Sequence, residues 1–222
     1  MSAQPTPVDD KRRRDEVRFW SKVAPQYDDW ISAAFMEQYK AFKAGMTGLV
    51  DEVDVVLDIA TGTGNIALHI APKVSAIVGI DISEDMIAVA EAKLEASGLE
   101  NVTFLVEDAY NLPFADGSFD KVVCVNGLQT MAEPLQAIKE GTRVLRDGGE
   151  FISVTYAYGD SGPIEYLKLS RWVIKYGKPK YWSNFKTKDL RGLFEEAGLE
   201  IVGSKRIWDK PVVEMVRARK PS

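Results

Sequence analysis

The chain has one cysteine, Cys124, and one histidine, His69. An intrachain disulfide and a cysteine-based metal cluster are therefore excluded, and no metal site is expected. No apolar run approaches the ~20 residues that cross a bilayer. The opening stretch MSAQPTPVDDKRRR has no apolar core of the kind a secretory signal carries, which gives the expectation of a cytoplasmic protein. Excess positive charge is also missing. The formal net charge is −5, and an acidic chain lacks the field that gathers phosphate backbones, so no nucleic-acid partner is expected. The KRRR run at Lys11–Arg14 is flanked by Asp9, Asp10, Asp15 and Glu16 and reads as a solvated helix start. Aromatics are scarce in one region only. Residues 51–118 hold just Phe104, Tyr110 and Phe114, whereas residues 151–186 hold nine and the first fifty residues hold seven.

What is present is an ordinary globular composition, 45% hydrophobic and 27% charged. Residues 1 to about 10 read as a polar tail. From about 11 to 50, Phe19, Trp20, Val23, Tyr27 and Trp30, then Phe35, Tyr39, Phe42 and Met46, recur at helical spacing. From Val53 the pattern alternates. VDVVLDI, SAIVGID, NVTFLVED and FDKVVCVN are short β-rich runs, with the helical stretches NIALHIAPK and EDMIAVAEAKLEAS between the first three. That alternation implies a parallel sheet with crossover helices. A helix at AEPLQAIKEGTRVL, stopped by RDGG, precedes a fifth strand, EFISVTYAY. A helical, aromatic segment runs from about Ser161 to Trp182. A helix at KTKDLRGLFEEAG and two strands, LEIVGSKRI and VVEMVRARK, follow. The short turn between those strands predicts an antiparallel pair.

Chemistry concentrates in LDIATGTGNIALHI, a strand that enters a glycine turn and then a helix. Gly62-Thr63-Gly64-Asn65-Ile66-Ala67 fits the G-x-G-x-x-A dinucleotide pattern, and Asp81 closes the second strand where a ribose-binding acid belongs. Asp58, four residues before Gly62, argues against a pyrophosphate, which would meet a like charge at close range. A ligand bearing an ammonium and a sulfonium would be attracted instead, and S-adenosylmethionine has both, with a ribose diol for Asp81. Asp108, just past the third strand, suits an exocyclic adenine amine, with the Ala109 backbone donating to a ring nitrogen. Three acids at the ends of three successive parallel strands face the edge where α/β sheets bind ligands.

With these motifs the chain resembles the class I S-adenosylmethionine-dependent methyltransferases. DIATGTG resembles their glycine loop, with Ala60 where many members have the first glycine. GIDIS..M resembles the ribose motif, and VEDAYNLPFADGSFD and RVLRDGGEF two later ones. The resemblance implies an α/β, Rossmann-like, seven-stranded sheet whose last strand is antiparallel. Residues 1–50 would supply a tail and cap helices, and residues 51–222 the methyltransferase domain, with a helical lid at about 159–184. The implied cofactor is S-adenosylmethionine, released as S-adenosylhomocysteine. Its expected contacts are Tyr27, Asp58, Ala60, Thr61, Gly62, Gly64, Asp81, Ile82, Met86, Asp108, Ala109 and Asn126.

Within the class, VAPQYDDW and DIATGTGNIA are similar to the branch of ubiquinone and menaquinone C-methyltransferases. The chain departs from that branch at YDDWISAAFMEQY, at NGLQTM after the fourth strand, and at FISVTYA in the fifth. Cofactor binding carries over, and the quinone acceptor does not. Methyl transfer is an in-line displacement that needs a base only when the acceptor must lose a proton. No catalytic constellation stands out. His69 reads as structural or surface, and Cys124 as a small buried hydrophobe. The two aromatic-rich segments predict an apolar pocket, with Tyr156, Tyr158, Trp172 and Trp182 in its wall, for a small-molecule acceptor. Two other readings stay open: a non-catalytic S-adenosylmethionine-binding module, and an NAD-dependent oxidoreductase, which Asp58 and Asp108 disfavour.

Overall fold

The computed structural model describes residues 7–222, and the side chains within that range except those at 7–9, 30, 33, 34, 171, 172, 175 and 176. Most of the expected tail, residues 1–6, thus lies outside the described residues. The first helix, α1 (Pro7–Val23), starts four residues before KRRR, with proline in its first turn, where no amide proton is needed. A 3-10 turn at Ala24–Gln26, built on Pro25, separates α1 from α2 (Tyr27–Ala34), and α3 (Met36–Thr47) follows. Tyr39, Phe42 and Met46 recur on one face of α3 and are buried.

A sheet of seven strands carries the remainder: β1 (Val55–Ile59), β2 (Ala76–Asp81), β3 (Val102–Val106), β4 (Phe119–Val125), β5 (Leu145–Tyr156), β6 (Glu200–Asp209) and β7 (Val212–Arg219). Their order is β3-β2-β1-β4-β5-β7-β6. The first five pair in parallel, and β7 is antiparallel to both β5 and β6, as the resemblance implies. The crossovers run through α4 (Ala67–Ile70), α5 (Glu84–Ser97), α6 (Pro134–Val144), α7 (Pro163–Tyr176) and α8 (Thr187–Glu196). Strand alternation divides the core. Val56 joins one apolar layer with Phe42, Met46 and Ile70, while Leu57 and Ile59 join the other with Val122, Phe151 and Phe194. The chain leaves β1 toward β2 on one side and returns as β4 on the other. The carboxyl ends of these strands therefore bound a crevice.

Two segments differ from the sequence reading. NIALHIAPK forms a single α-turn and then a 3-10 turn at Ala71–Lys73, because Pro72 cannot continue the α-helical ladder. RDGG does not separate helix from strand. β5 begins at Leu145, directly after α6, and the backbones of Gly148 and Gly149 bond Lys220 at 2.9 Å each. Among the described residues no helix is long and apolar enough to cross a membrane.

Candidate active site

The glycine loop is held by both neighbouring acids. Thr61 donates through its backbone N–H to Ile80 O at 2.9 Å and through Oγ1 to Asp58 Oδ2 at 2.6 Å. The Gly62 N–H donates to Asp81 Oδ2, and the Ser83 N–H to Asp81 Oδ1, both at 3.0 Å. Each Asp81 oxygen keeps lone pairs for a further donor. Ala60 sits in left-handed backbone, φ +56°, where the resemblance expects glycine. Burial raises the Asp58 carboxyl to about 7; the Thr61 bond opposes it and the charge of Asp81 adds to it. Burial likewise raises Asp81 to about 6, against the Ser83, Gly62 and Ile82 N–H groups. A cation beside two buried carboxyls that repel each other favours their charged forms.

These residues line a cleft of about 850 Å³, together with Ile82 and Met86 after β2, Asp108 and Ala109 after β3, and Asn126 after β4. Tyr27 closes it from α2. Every expected cofactor contact lies on this cleft except Gly64, which does not line it. A Cβ on Gly64 would stand 2.7 Å from Phe104 Cζ and 3.1 Å from Ala90, and its φ is +74°. Its role is close packing of loop against sheet and helix.

The N-terminal segment is bound to this crevice more tightly than its charge pattern suggests. Arg12 is not solvated: its guanidinium pairs with Asp108, bonds Glu16 at 2.8 Å and stacks 4.2 Å over the Tyr110 ring. Glu16 accepts from the Tyr110 hydroxyl at 3.1 Å and the Ala132 N–H at 3.2 Å. Burial raises its pKa, with Arg12 the main opposing partner. Asp108, expected to meet only an adenine amine, thus also anchors α1. Asp28 of α2 accepts from Thr63 Oγ1 and Asn65 Nδ2, both at 2.7 Å, and from Lys93 Nζ at 2.9 Å. Burial pushes its carboxyl up, but Lys93, Thr63 and Asn65 together hold it below its ordinary value.

A second cavity adjoins the first and shares Trp20, Tyr27, Tyr39, Asn126 and Thr130 with it. Tyr156, Tyr158 and Trp182 line it, beside Ile31, Phe35, Leu169 and Pro179. Trp172 lies outside the residues whose side chains are described. Tyr156 and Tyr158 stack at 5.4 Å, and Trp182 packs 5.7 Å from Tyr158. Gln129, absent from the sequence reading, also lines this cavity. Its Oε1 and the Tyr156 hydroxyl are buried without a hydrogen-bond partner. The only sign of Gln129 in the sequence is its place in NGLQTM. None of the lining residues is an acid, a histidine, a lysine or an arginine, and burial raises the phenols of Tyr27, Tyr39, Tyr156 and Tyr158. His69 lies away from both cavities, bonded to Thr47 at 2.9 Å, and Cys124 is fully buried with its thiol pushed up by burial.

A seven-stranded sheet of this order, with an acidic cleft at its switch point, is the class I methyltransferase fold. A methyltransferase-domain family matches residues 56–149. Over 204 residues the chain is 31% identical to the demethylmenaquinone methyltransferase of Bacillus cereus (strain ATCC 10987 / NRS 248), covering 82% of this chain and 86% of the relative. The chain belongs to the S-adenosylmethionine-dependent methyltransferases. Among solved structures, an S-adenosylmethionine-dependent methyltransferase from Methanosarcina mazei superposes with a TM-score of 0.64 at 26% identity, over 79% of this chain and 96% of that one. A phosphoethanolamine N-methyltransferase of Haemonchus contortus, bound to S-adenosylhomocysteine, shares the fold with a TM-score of 0.67 at 18% identity, over 84% of this chain and 53% of that one. The enzyme's cofactor is S-adenosylmethionine, and the buried pair Asp58 and Asp81 fits a cationic nucleoside.

Proposed function

We propose that the enzyme methylates a small, largely apolar ring compound that carries a hydroxyl or similar polar atom, and that the aromatic cavity is its acceptor chamber. The observation that carries this reading is the pair of orphaned polar atoms, Gln129 Oε1 and Tyr156 Oη, on residues of an uncharged, mainly aromatic and aliphatic wall. A buried polar atom without a partner costs roughly 1–3 kcal/mol, a cost that a bound hydroxyl would offset. In this reading Asp81 holds the ribose diol, Asp58 favours the ammonium end, Ile82 and Met86 flank the adenine, and Asp108 with the Ala109 N–H reads its edge. Tyr27 and Asn126 stand at the junction of the two cavities. When bound, S-adenosylmethionine supplies an activated methyl group, and the protein's part is to orient the acceptor and exclude water. With no base in the chamber wall, the acceptor's nucleophile is one that reacts without passing a proton to the protein, such as a thiolate or a phenolate.

The three segments that depart from the quinone branch supply chamber residues: Tyr27, Ile31, Phe35 and Tyr39 from the first, Asn126, Gln129 and Thr130 from the second, and Tyr156 from the third. This favours an acceptor of the same apolar class as the relative's demethylmenaquinone but of different outline. The N-terminal helices and residues 159–184 act as its cover. Asp15 holds Lys180 and Tyr181, and the Ser183 N–H reaches Gln129 O at 2.8 Å. The test is a screen of acceptors by S-adenosylhomocysteine formation, with the methylated product identified by mass spectrometry. Apolar ring compounds with one hydroxyl or thiol are the expected substrates. Turnover confined to charged or polymeric acceptors would refute the assignment.

A further inference from the structure

Of the eight large apolar side chains exposed among the described residues, four lie on α7: Ile164, Tyr166, Leu167 and Ile174. Ile164, Leu167 and Ile174 are 64%, 63% and 84% exposed. Positions 164, 167 and 174 fall within one arc of about 80°, which position 171, an arginine, shares and Lys168 borders. The opposite face turns inward: Glu165 is buried, and Leu169 lines the acceptor chamber. The exposed aliphatic stripe therefore lies on the outer side of the chamber wall.

Along the segment itself the charge is nearly of one sign, although Asp160 and Asp209 lie near Ile164 at its amino end. Residues 161–186 contain six basic residues and a single acid, the buried Glu165, in a chain whose net charge is −5. Among the described residues, Lys168, Lys178 and Lys186 have no ion-pair partner. Exposed aliphatics beside unpaired lysines match a surface that offers anions above hydrocarbon. A nucleic acid would satisfy the lysines but gains nothing from the aliphatics. A second copy would bring like charge against like.

We propose that α7 is a membrane-contact helix, which sets Ile164, Leu167 and Ile174 into the headgroup region of an anionic bilayer while Lys168 and Lys178 meet the lipid phosphates. The inference rests on the apolar-acceptor reading for its purpose: an acceptor dissolved in lipid would pass from the bilayer into the chamber beneath α7.

The experiment is flotation of the full chain with vesicles of phosphatidylcholine alone and of phosphatidylcholine mixed with phosphatidylglycerol, with neither cofactor nor acceptor present. Binding is expected to the mixed vesicles and is expected to weaken with salt. Each of Ile164→Ser, Leu167→Ser and Ile174→Ser should weaken it about fivefold, as partial burial of one aliphatic side chain implies. Lys168→Glu and Lys178→Glu should each weaken it at least fivefold. Val53→Ser, an equally exposed position before β1, should leave it unchanged. Calorimetric cofactor binding should be intact in every variant, which separates lost docking from misfolding. No binding to mixed vesicles at low salt would overturn the proposal. So would α7 variants that bind like the parent chain, or variants that abolish dimerisation or binding to a DNA duplex while vesicle binding is absent in the parent. Because the vesicles contain no acceptor, failure of the acceptor screen and failure of docking are read separately.

Discussion

Asp58→Asn should make the cofactor-free enzyme more stable and its cofactor binding weaker. Asp58 is 1% exposed, and folding raises its carboxyl from 3.8 to about 7. The folded state thus holds this proton more tightly than the unfolded state. Stability from this group is greatest below pH ~4, falls as pH rises toward 7, and is flat above. The full penalty above pH 7 is on the order of 4 kcal/mol. Asparagine removes it, at a cost of about 1–2 kcal/mol for weaker hydrogen bonds from Thr61 Oγ1 and the Ala67 N–H. A net gain of about 2–3 kcal/mol corresponds to a melting temperature ~5–10 °C higher at pH 8. At pH 4, where the penalty is nearly absent, the hydrogen-bond cost alone remains and the variant should be less stable than the parent by about 1–2 kcal/mol. Calorimetry should show S-adenosylmethionine bound at least tenfold more weakly at pH 8. In the parent enzyme, cofactor affinity should fall up to about tenfold per pH step as pH drops from 7 to 6, and more steeply once Asp81 also protonates. A lower melting temperature at pH 8, or cofactor affinity that is flat from pH ~8 to ~5, would refute the reasoning.

Other substitutions probe the loop. Ala60→Gly relieves the left-handed strain at φ +56° and should raise stability by about 0.5–1 kcal/mol in a denaturant titration; a loss would deny that strain. Gly64→Ala drives a methyl to 2.7 Å from Phe104 and should cost about 2–4 kcal/mol by the same titration. Asp28→Ala releases Thr63, Asn65 and Lys93, and should cost about 1–2 kcal/mol and weaken cofactor binding roughly tenfold. Asp29→Ala, its exposed neighbour, should change neither by melt or by calorimetry.

What the sequence shows plainly is what is local. The β1 turn, Asp58, Asp81 and the alternation of strand and helix fall within short spans whose periodicity is set by one crossover at a time. Ala60 in a glycine position is readable because the turn geometry is shared across the class. Contacts between distant segments leave no such trace. Arg12 meets Asp108 across 96 positions and Asp28 meets Lys93 across 65; as residue types, both pairs resemble ordinary surface charges. Asp28 is adjacent to Tyr27 in a stretch similar to the quinone branch, yet nothing in that stretch reveals its three donors. Gln129 is similar: a polar residue after a strand reads as a turn, and only the tertiary structure buries its Oε1 beside Tyr156. The apolar spacing of NIALHIAPK suggests a longer helix than the one-turn α4, which Pro72 cuts short.

The proposed division of labour, cofactor in the acidic cleft and acceptor in the adjoining chamber, is decided by steady-state methyl transfer with the first acceptor the screen yields, using Asp81→Ala and Trp182→Ala. Asp81→Ala should raise the cofactor's KM by the roughly tenfold or more that lost hydrogen bonds to a charged group imply, with little change for the acceptor. Trp182→Ala should raise the acceptor's KM and leave the cofactor's unchanged. If both variants melt as the parent does, and Trp182→Ala impairs only the cofactor or Asp81→Ala only the acceptor, the division into two sites is contradicted.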